Sequence, residues 1–111
     1  MSHFNQLSEF EKEFKKLSKK YRSLPKDIKD LEEVLVACPT GLGKNFTIVH
    51  SVESVKIVKA RLACESLHDR SIRIVYAYHD STFEFMYIEI YFKGDKENED
   101  RVRIEKYLKN L

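Results

Sequence analysis

From Val55 to Lys96, apolar and charged residues alternate through run after run. A chain with that two-residue period has to build a sheet whose two faces differ in chemistry. On strict alternation, Ile72, Ile74 and Tyr76 share one face with Met86, Ile88, Ile90 and Phe92, while Arg73, Glu89, Tyr91 and Lys93 share the other. Lys59 and Arg61 lie together one strand earlier, opposite Ala60 and Leu62. Charged side chains inside β-runs are costly unless they meet water or a partner. The expectation is therefore an open, basic, tyrosine-bearing sheet face of the kind that suits a phosphate backbone.

Four strands are expected, at Phe46 to His50, Val55 to Cys64, Ser71 to Tyr78 and Thr82 to Phe92. Polar turns separate them at Ser51 to Ser54, Glu65 to Arg70 and His79 to Ser81, and such short links imply antiparallel neighbours. Upstream, Phe10, Phe14, Leu17 and Tyr21 recur at helical spacing, and Ser8 with Glu11 matches a capping box. Ser23-Leu24-Pro25 ends this helix and opens a second, whose apolar face is Ile28, Leu31, Val34 and Leu35. From Lys96 the sequence turns charged and helical, with Val102, Ile104, Tyr107, Leu108 and Leu111 available for packing. The fold class predicted is α+β: an N-terminal helical hairpin packed on a small, mainly antiparallel sheet, with a C-terminal helix, in one domain over residues 1–111.

Cys38 to Asn45 (Cys-Pro-Thr-Gly-Leu-Gly-Lys-Asn) has the outline of a phosphate-binding loop. Such a loop needs a first glycine, where Cys38 stands, and a metal-binding hydroxyl, where Asn45 stands. It also joins a strand to a helix, whereas here a helix precedes and a strand follows, so the segment reads as a connector.

With a net charge of only +2 over 111 residues, a claim of nucleic-acid binding rests on where the charge sits. Two cysteines make no disulfide framework and are expected to be reduced in a cytoplasmic, soluble protein. No apolar run approaches the ~20 residues of a membrane-spanning helix. His3, His50, His68 and His79 lack metal-ligand spacing, and His68-Asp69 and His79-Asp80 fall in expected turns, so no metal or cofactor is anticipated.

The succession Phe10-Glu11-Lys12-Glu13-Phe14-Lys15-Lys16-Leu17, Val58-Lys59-Ala60-Arg61-Leu62, Ser71-Ile72-Arg73-Ile74-Val75-Tyr76 and Tyr87-Ile88-Glu89-Ile90-Tyr91-Phe92-Lys93 resembles the RelE/ParE superfamily of toxins from type II toxin–antitoxin modules. The resemblance implies an α+β toxin that, in many members, cuts messenger RNA in the ribosomal A site without a metal and is neutralised by a co-encoded antitoxin. By position, Lys59 and Arg61 resemble the family's basic strand pair, Arg73 its third-strand arginine, and Lys93 the basic residue closing its last strand. Where the family's catalytic tyrosine follows that strand, this chain has Glu97, Glu99 and Asp100, which leaves Tyr91 and Tyr107 as substitutes. The family's N-terminal strand is expected to be short or absent, since Met1 to Leu7 is only weakly apolar.

The candidate catalytic set is thus Arg73, Lys93, Arg61, Lys59, Glu89 and Tyr91, and the candidate RNA contacts are Lys56, Lys59, Arg61 and Lys96. Cleavage through a 2′-hydroxyl needs a base, an acid for the leaving 5′-oxygen, and positive charge for the crowded phosphorane. Glu89 is read either as a proton-transfer group or as a cross-strand partner of Arg73. Three functions remain open on the residues: a ribosome-dependent endoribonuclease, a ParE-like inhibitor of DNA gyrase, and an inactive relative that still binds antitoxin. The partners implied are a cognate antitoxin, the ribosome and messenger RNA, with no membrane.

Overall fold

A computed structural model of the chain describes residues 3–111. Strand β1 (Phe4–Gln6) leads into helices α1 (Ser8–Lys20) and α2 (Leu24–Ala37), then strands β2 (Phe46–Val52) and β3 (Val55–Cys64). A short 3-10 turn (Glu65–Leu67) precedes strands β4 (Asp69–His79) and β5 (Glu84–Phe92), and helix α3 (Arg101–Lys109) follows. The fold is α+β, with three helices and one five-stranded sheet of order β1-β5-β4-β3-β2. Neighbours are antiparallel except β1, which runs parallel to β5 through Phe4 and Phe85, Asn5 and Met86, and Gln6 and Tyr87.

Helices α1 and α2 cover one face of the sheet. Phe10 of α1 and Leu24, Ile28, Leu31 and Leu35 of α2 pack on Val58, Ala60, Leu62, Ile72, Ile74, Tyr76 and Ile90. Fully burying one such apolar side chain contributes about 1.5–3 kcal/mol, which is why the helical period so directly selects the buried stripe. Ser8 and Glu11 do not form the expected capping box. The cap position is Leu7, whose amide donates to the Tyr87 carbonyl and whose carbonyl accepts the Glu11 amide, both at 3.0 Å. Strand β1 runs straight into α1, so sheet pairing replaces a side-chain cap.

Pro25 stands in the opening turn of α2, where a missing amide costs nothing. The bend between α1 and α2 is pinned to the turn after β3 by a reciprocal pair: the Ser23 amide donates to Ser66 Oγ at 2.9 Å and the Ser66 amide to Ser23 Oγ at 2.8 Å. The buried carboxylate of Asp27 accepts the Ser23 hydroxyl and the Glu65 amide. Cys38 and Cys64 are unbridged.

The connector between α2 and β2 is a helix-to-strand loop, as the order of elements required. Gly41, with φ of 74°, lies so close to the Phe46 ring that a Cβ there would overlap it, and the Tyr76 hydroxyl donates to the Pro39 carbonyl at 2.8 Å.

Strict alternation fails in β5. Ile74 pairs with Ile90 and Val75 with Glu89, but Tyr76 pairs with Tyr87, which leaves Ile88 as an extra residue. This bulge turns Phe85 and Tyr87 toward α1 and α2, and Met86 and Ile88 toward the opposite face. The expected grouping of Met86 and Ile88 with Ile90 and Phe92 is therefore wrong. The second face is also not open: Ile104 of α3 is buried with Val55, Ile57, Val75, Ala77, Ile88 and Tyr91, and Tyr107 and Leu108 pack against them. His79 is the last residue of β4 rather than part of a turn, and its Nε2 lies 2.5 Å from the Tyr107 hydroxyl. Among the described residues, no helix is long and apolar enough to cross a membrane.

Candidate functional site

Residues 57, 59 and 61 of β3 point to the α3 side of the sheet, and 56, 58 and 60 to the other. Val58 and Ala60 lie in the α1/α2 core and Ile57 in the α3 core. Lys56, expected with Lys59 and Arg61 as an RNA contact, therefore projects from the opposite face, where it lies 3.9 Å from Asp80. The remaining candidates on the α3 side fall into two successive rows.

In the inner row, Lys59 stands beside Val75, and Val75 beside Glu89. Its charges are matched internally. Lys59 Nζ donates to Glu99 Oε1 at 3.0 Å, and the nearly inaccessible Glu89 carboxylate accepts Lys96 Nζ and, at 2.8 Å, the Asp100 amide. Glu89 does not pair with Arg73, because the bulge places it opposite Val75. Nor does Lys96 open the last helix: Asp100 caps α3 by accepting the Arg103 amide at 3.0 Å. Burial alone would raise the Glu99 carboxyl, but its own backbone hydrogen bond, Lys59 and Arg101 hold it below the ordinary value.

In the terminal row, Arg61 stands directly opposite Arg73, and Arg73 opposite Tyr91. Like charges placed opposite on adjacent strands destabilise a sheet. Here no carboxylate forms an ion pair with Arg61, Arg70, Arg73 or Lys93 among the described residues, and only Tyr91 and Asp69 offset part of the repulsion at Arg73. Backbone carbonyls take some of the donors. Arg70 Nη1 donates to the Arg61 carbonyl at 3.0 Å, and Arg73 Nη1 to the Arg70 carbonyl. Arg73 is buried, with a relative exposure of 8% over the whole residue. Burial, and then Arg61, push its pKa down from the ordinary value. Lys93 is exposed at the end of β5, its amide bound to the Ser71 carbonyl at 2.9 Å.

Tyr91 closes this row. Its hydroxyl is buried without a hydrogen-bond partner, and Lys96 Nζ sits 5.3 Å from the ring centroid. Burial pushes its pKa up to about 12, with Glu99 and Glu89 adding to the rise and Arg73 opposing it. The phenol thus keeps its proton at neutral pH, as a proton donor must. Because the folded value exceeds the ordinary 10, the associated stability is present below pH 10 and is lost as pH rises toward 12. Tyr76 and Tyr87 are shifted the same way by burial. Denaturant midpoints should fall between pH 10 and 12, and Tyr91→Phe should flatten part of that fall. A pH profile of Tyr91→Phe parallel to the wild type would show that Tyr91 ionises freely.

Sequence reasoning missed Glu99, Arg70, and the pair Glu13–Arg103, which closes the free edge of β5. The only signal was the acidic run after the last strand, which gave no indication of what it would contact. Among the described residues, no group of three or more His, Cys, Asp or Glu side chains is placed to hold a metal ion. The site is therefore a cationic terminal row of Arg61 and Arg73 ending on a protonated tyrosine, with exposed Lys93 one row further out beside Ser71, and bordered by an inner row that is already neutralised. Compared with family models, with curated proteins and with solved structures, the chain gives no match.

Proposed function

We propose that this chain is the toxin of a type II toxin–antitoxin module, of RelE-like type, and that it acts in the cytoplasm on messenger RNA held by the ribosome. The observation that carries this reading is the direct opposition of Arg61 and Arg73 with no carboxylate to pair them. Two guanidiniums held against each other in a partly buried row are stabilised by an anion, and their planar donors match phosphate oxygens. In the reaction, the 2′-hydroxyl gives its proton to water as its oxygen attacks phosphorus, the bond to the 5′-oxygen breaks, and that oxygen takes a proton from the protein. Arg61 and Arg73 stabilise the added charge on the phosphoryl oxygens, Lys93 lies exposed one row further out, and Tyr91 is the proton donor.

A second reading is favoured by one feature of the same row. Among the described residues no histidine or carboxylate is hydrogen-bonded to the Tyr91 hydroxyl, so no base is engaged with it and the cationic row also fits a binding toxin of the gyrase-inhibitor type. In either case a co-encoded antitoxin with an acidic segment would mask the row, and its binding should weaken with added salt. Induced expression with parallel readouts of messenger integrity, translation and DNA supercoiling separates the readings. Messenger cleavage with unchanged supercoiling is the expected result. Altered supercoiling with intact messenger would replace it with the second reading, and neither effect would remove both.

A further inference from the structure

We infer that the segment between β5 and α3 is an acidic strap that holds Lys59 away from RNA, with the Glu99 carboxylate occupying a second phosphate position one row inside the Arg61–Arg73 row. The inference rests on the RNA-binding reading above and specifies how that site is regulated. Lys59 and Arg61 are two residues apart on β3 and point the same way. At about 3.3 Å per residue their rows are roughly 6.6 Å apart, close to the step between consecutive phosphates of an extended single strand. A strand of RNA seated on Arg61 and Arg73 would carry its next phosphate over Lys59. That position is taken by Glu99, whose Oε1 lies 3.0 Å from Lys59 Nζ and whose Oε2 lies 3.7 Å from Arg101 Nε.

The strap is docked as a unit rather than through one contact. It leaves β5 in a turn in which the Asp95 amide donates to the Phe92 carbonyl at 3.0 Å, and Gly94 lies so close to the Phe92 ring that a Cβ would overlap it. Glu89 then holds it at two points, through Lys96 Nζ and the Asp100 amide. Glu99 is buried by this docking, while its neighbour Glu97 is exposed. A carboxylate placed on a strand lysine at the edge of an unneutralised arginine row is an internal competitor for phosphate. Undocking the strap would extend the row from one phosphate position to two.

The test uses the full chain and a fluorescein-labelled oligouridylate with 2′-O-methyl groups, which cannot be cleaved. Dissociation constants are measured over a series of salt concentrations. Glu99→Gln should bind more tightly than wild type, with a salt slope steeper by about 0.7, the increment for one further phosphate contact on a single strand. Glu97→Gln makes the same charge change and should leave the slope unchanged. Adding Lys59→Ala to Glu99→Gln should restore the wild-type slope. Equal effects of the two glutamine variants, or a steeper slope that survives Lys59→Ala, would overturn the strap. The RNA-binding reading would still stand if Arg61→Ala weakens wild-type binding, and would fail, taking the strap with it, if Arg61→Ala has no effect. Should Glu99→Gln not fold, Glu99→Met carries the same comparison. Hydrogen exchange of the wild type needs no variant: saturating oligonucleotide should speed exchange across residues 94–100, and unchanged or slower exchange there would overturn the inference.

Discussion

Arg73→Ala is expected to relieve growth inhibition on induction and to slow messenger cleavage by roughly 10²–10³-fold, the scale for removing one preorganised charge donor. Arg73→Lys should recover little, because an ammonium cannot make the paired, planar contacts of a guanidinium. Arg73 is nevertheless buried and bound to the Arg70 carbonyl, so its loss also disturbs packing. Arg61→Ala is the cleaner probe, since Arg61 is exposed. Removing it relieves the repulsion across the β3–β4 pair, so stability should rise by a few tenths to about 1 kcal/mol while activity falls. This opposite movement is what separates a functional row from a structural one. An Arg61→Ala protein of lower stability and full toxicity would show that the arginines hold the sheet together and do not serve RNA.

The largest expected loss of stability outside the core comes from breaking Glu13 from Arg103. The two make a two-pronged pair at 2.9 Å on each arm, with side chains only 29% and 16% exposed. The pair also closes the edge of β5 beyond the short β1. Arg103 Nη1 donates to the Ile88 carbonyl at 2.9 Å, and Glu13 Oε1 accepts the Ile90 amide at 3.3 Å. Arg103→Ala should therefore cost about 2–4 kcal/mol, through one unpaired charge and one backbone group left without its partner. Thermal unfolding should drop by roughly 10 °C or more, on the usual conversion for a chain of this size. Replacing both residues by methionine tests the edge itself. Many buried ion pairs tolerate an apolar swap, but here the Ile88 carbonyl and Ile90 amide would still lack partners, so the double variant should remain destabilised and more prone to associate through β5. A double variant as stable as wild type would mean that the pair matters only to itself.

The ionic contacts of the α3 side were beyond sequence reading for a physical reason. Lys59 meets Glu99 across forty positions, and Arg103 meets Glu13 across ninety. Neither spacing belongs to a helix or strand period, so no local rule proposes the pair. Arg61 and Arg73 were both legible as candidates, because alternation and the resemblance to RelE/ParE toxins each singled them out. That they stand face to face follows only from the β3–β4 register.

Periodicity alone was enough to site α1, α2 and β3, whose bounds at Val55 and Cys64 match the pattern, but the last helix begins at Arg101 rather than Lys96, and Val34, Val102 and Leu111, expected to pack, are exposed; the order of elements was enough to reject a phosphate-binding loop at Cys38 to Asn45. Those properties are set by neighbours a few residues apart, where backbone geometry dictates which side chains share a face. The facing of β5 was decided otherwise. One extra residue, Ile88, reversed the alternation between Tyr87 and Ile90, and a bulge of this kind is specified by pairing with β4 and by burial beneath α3. The same nonlocal packing closed the face that alternation left open, neutralised the inner row through Glu99, and left Arg61, Arg73 and Lys93 without an ion-paired carboxylate among the described residues.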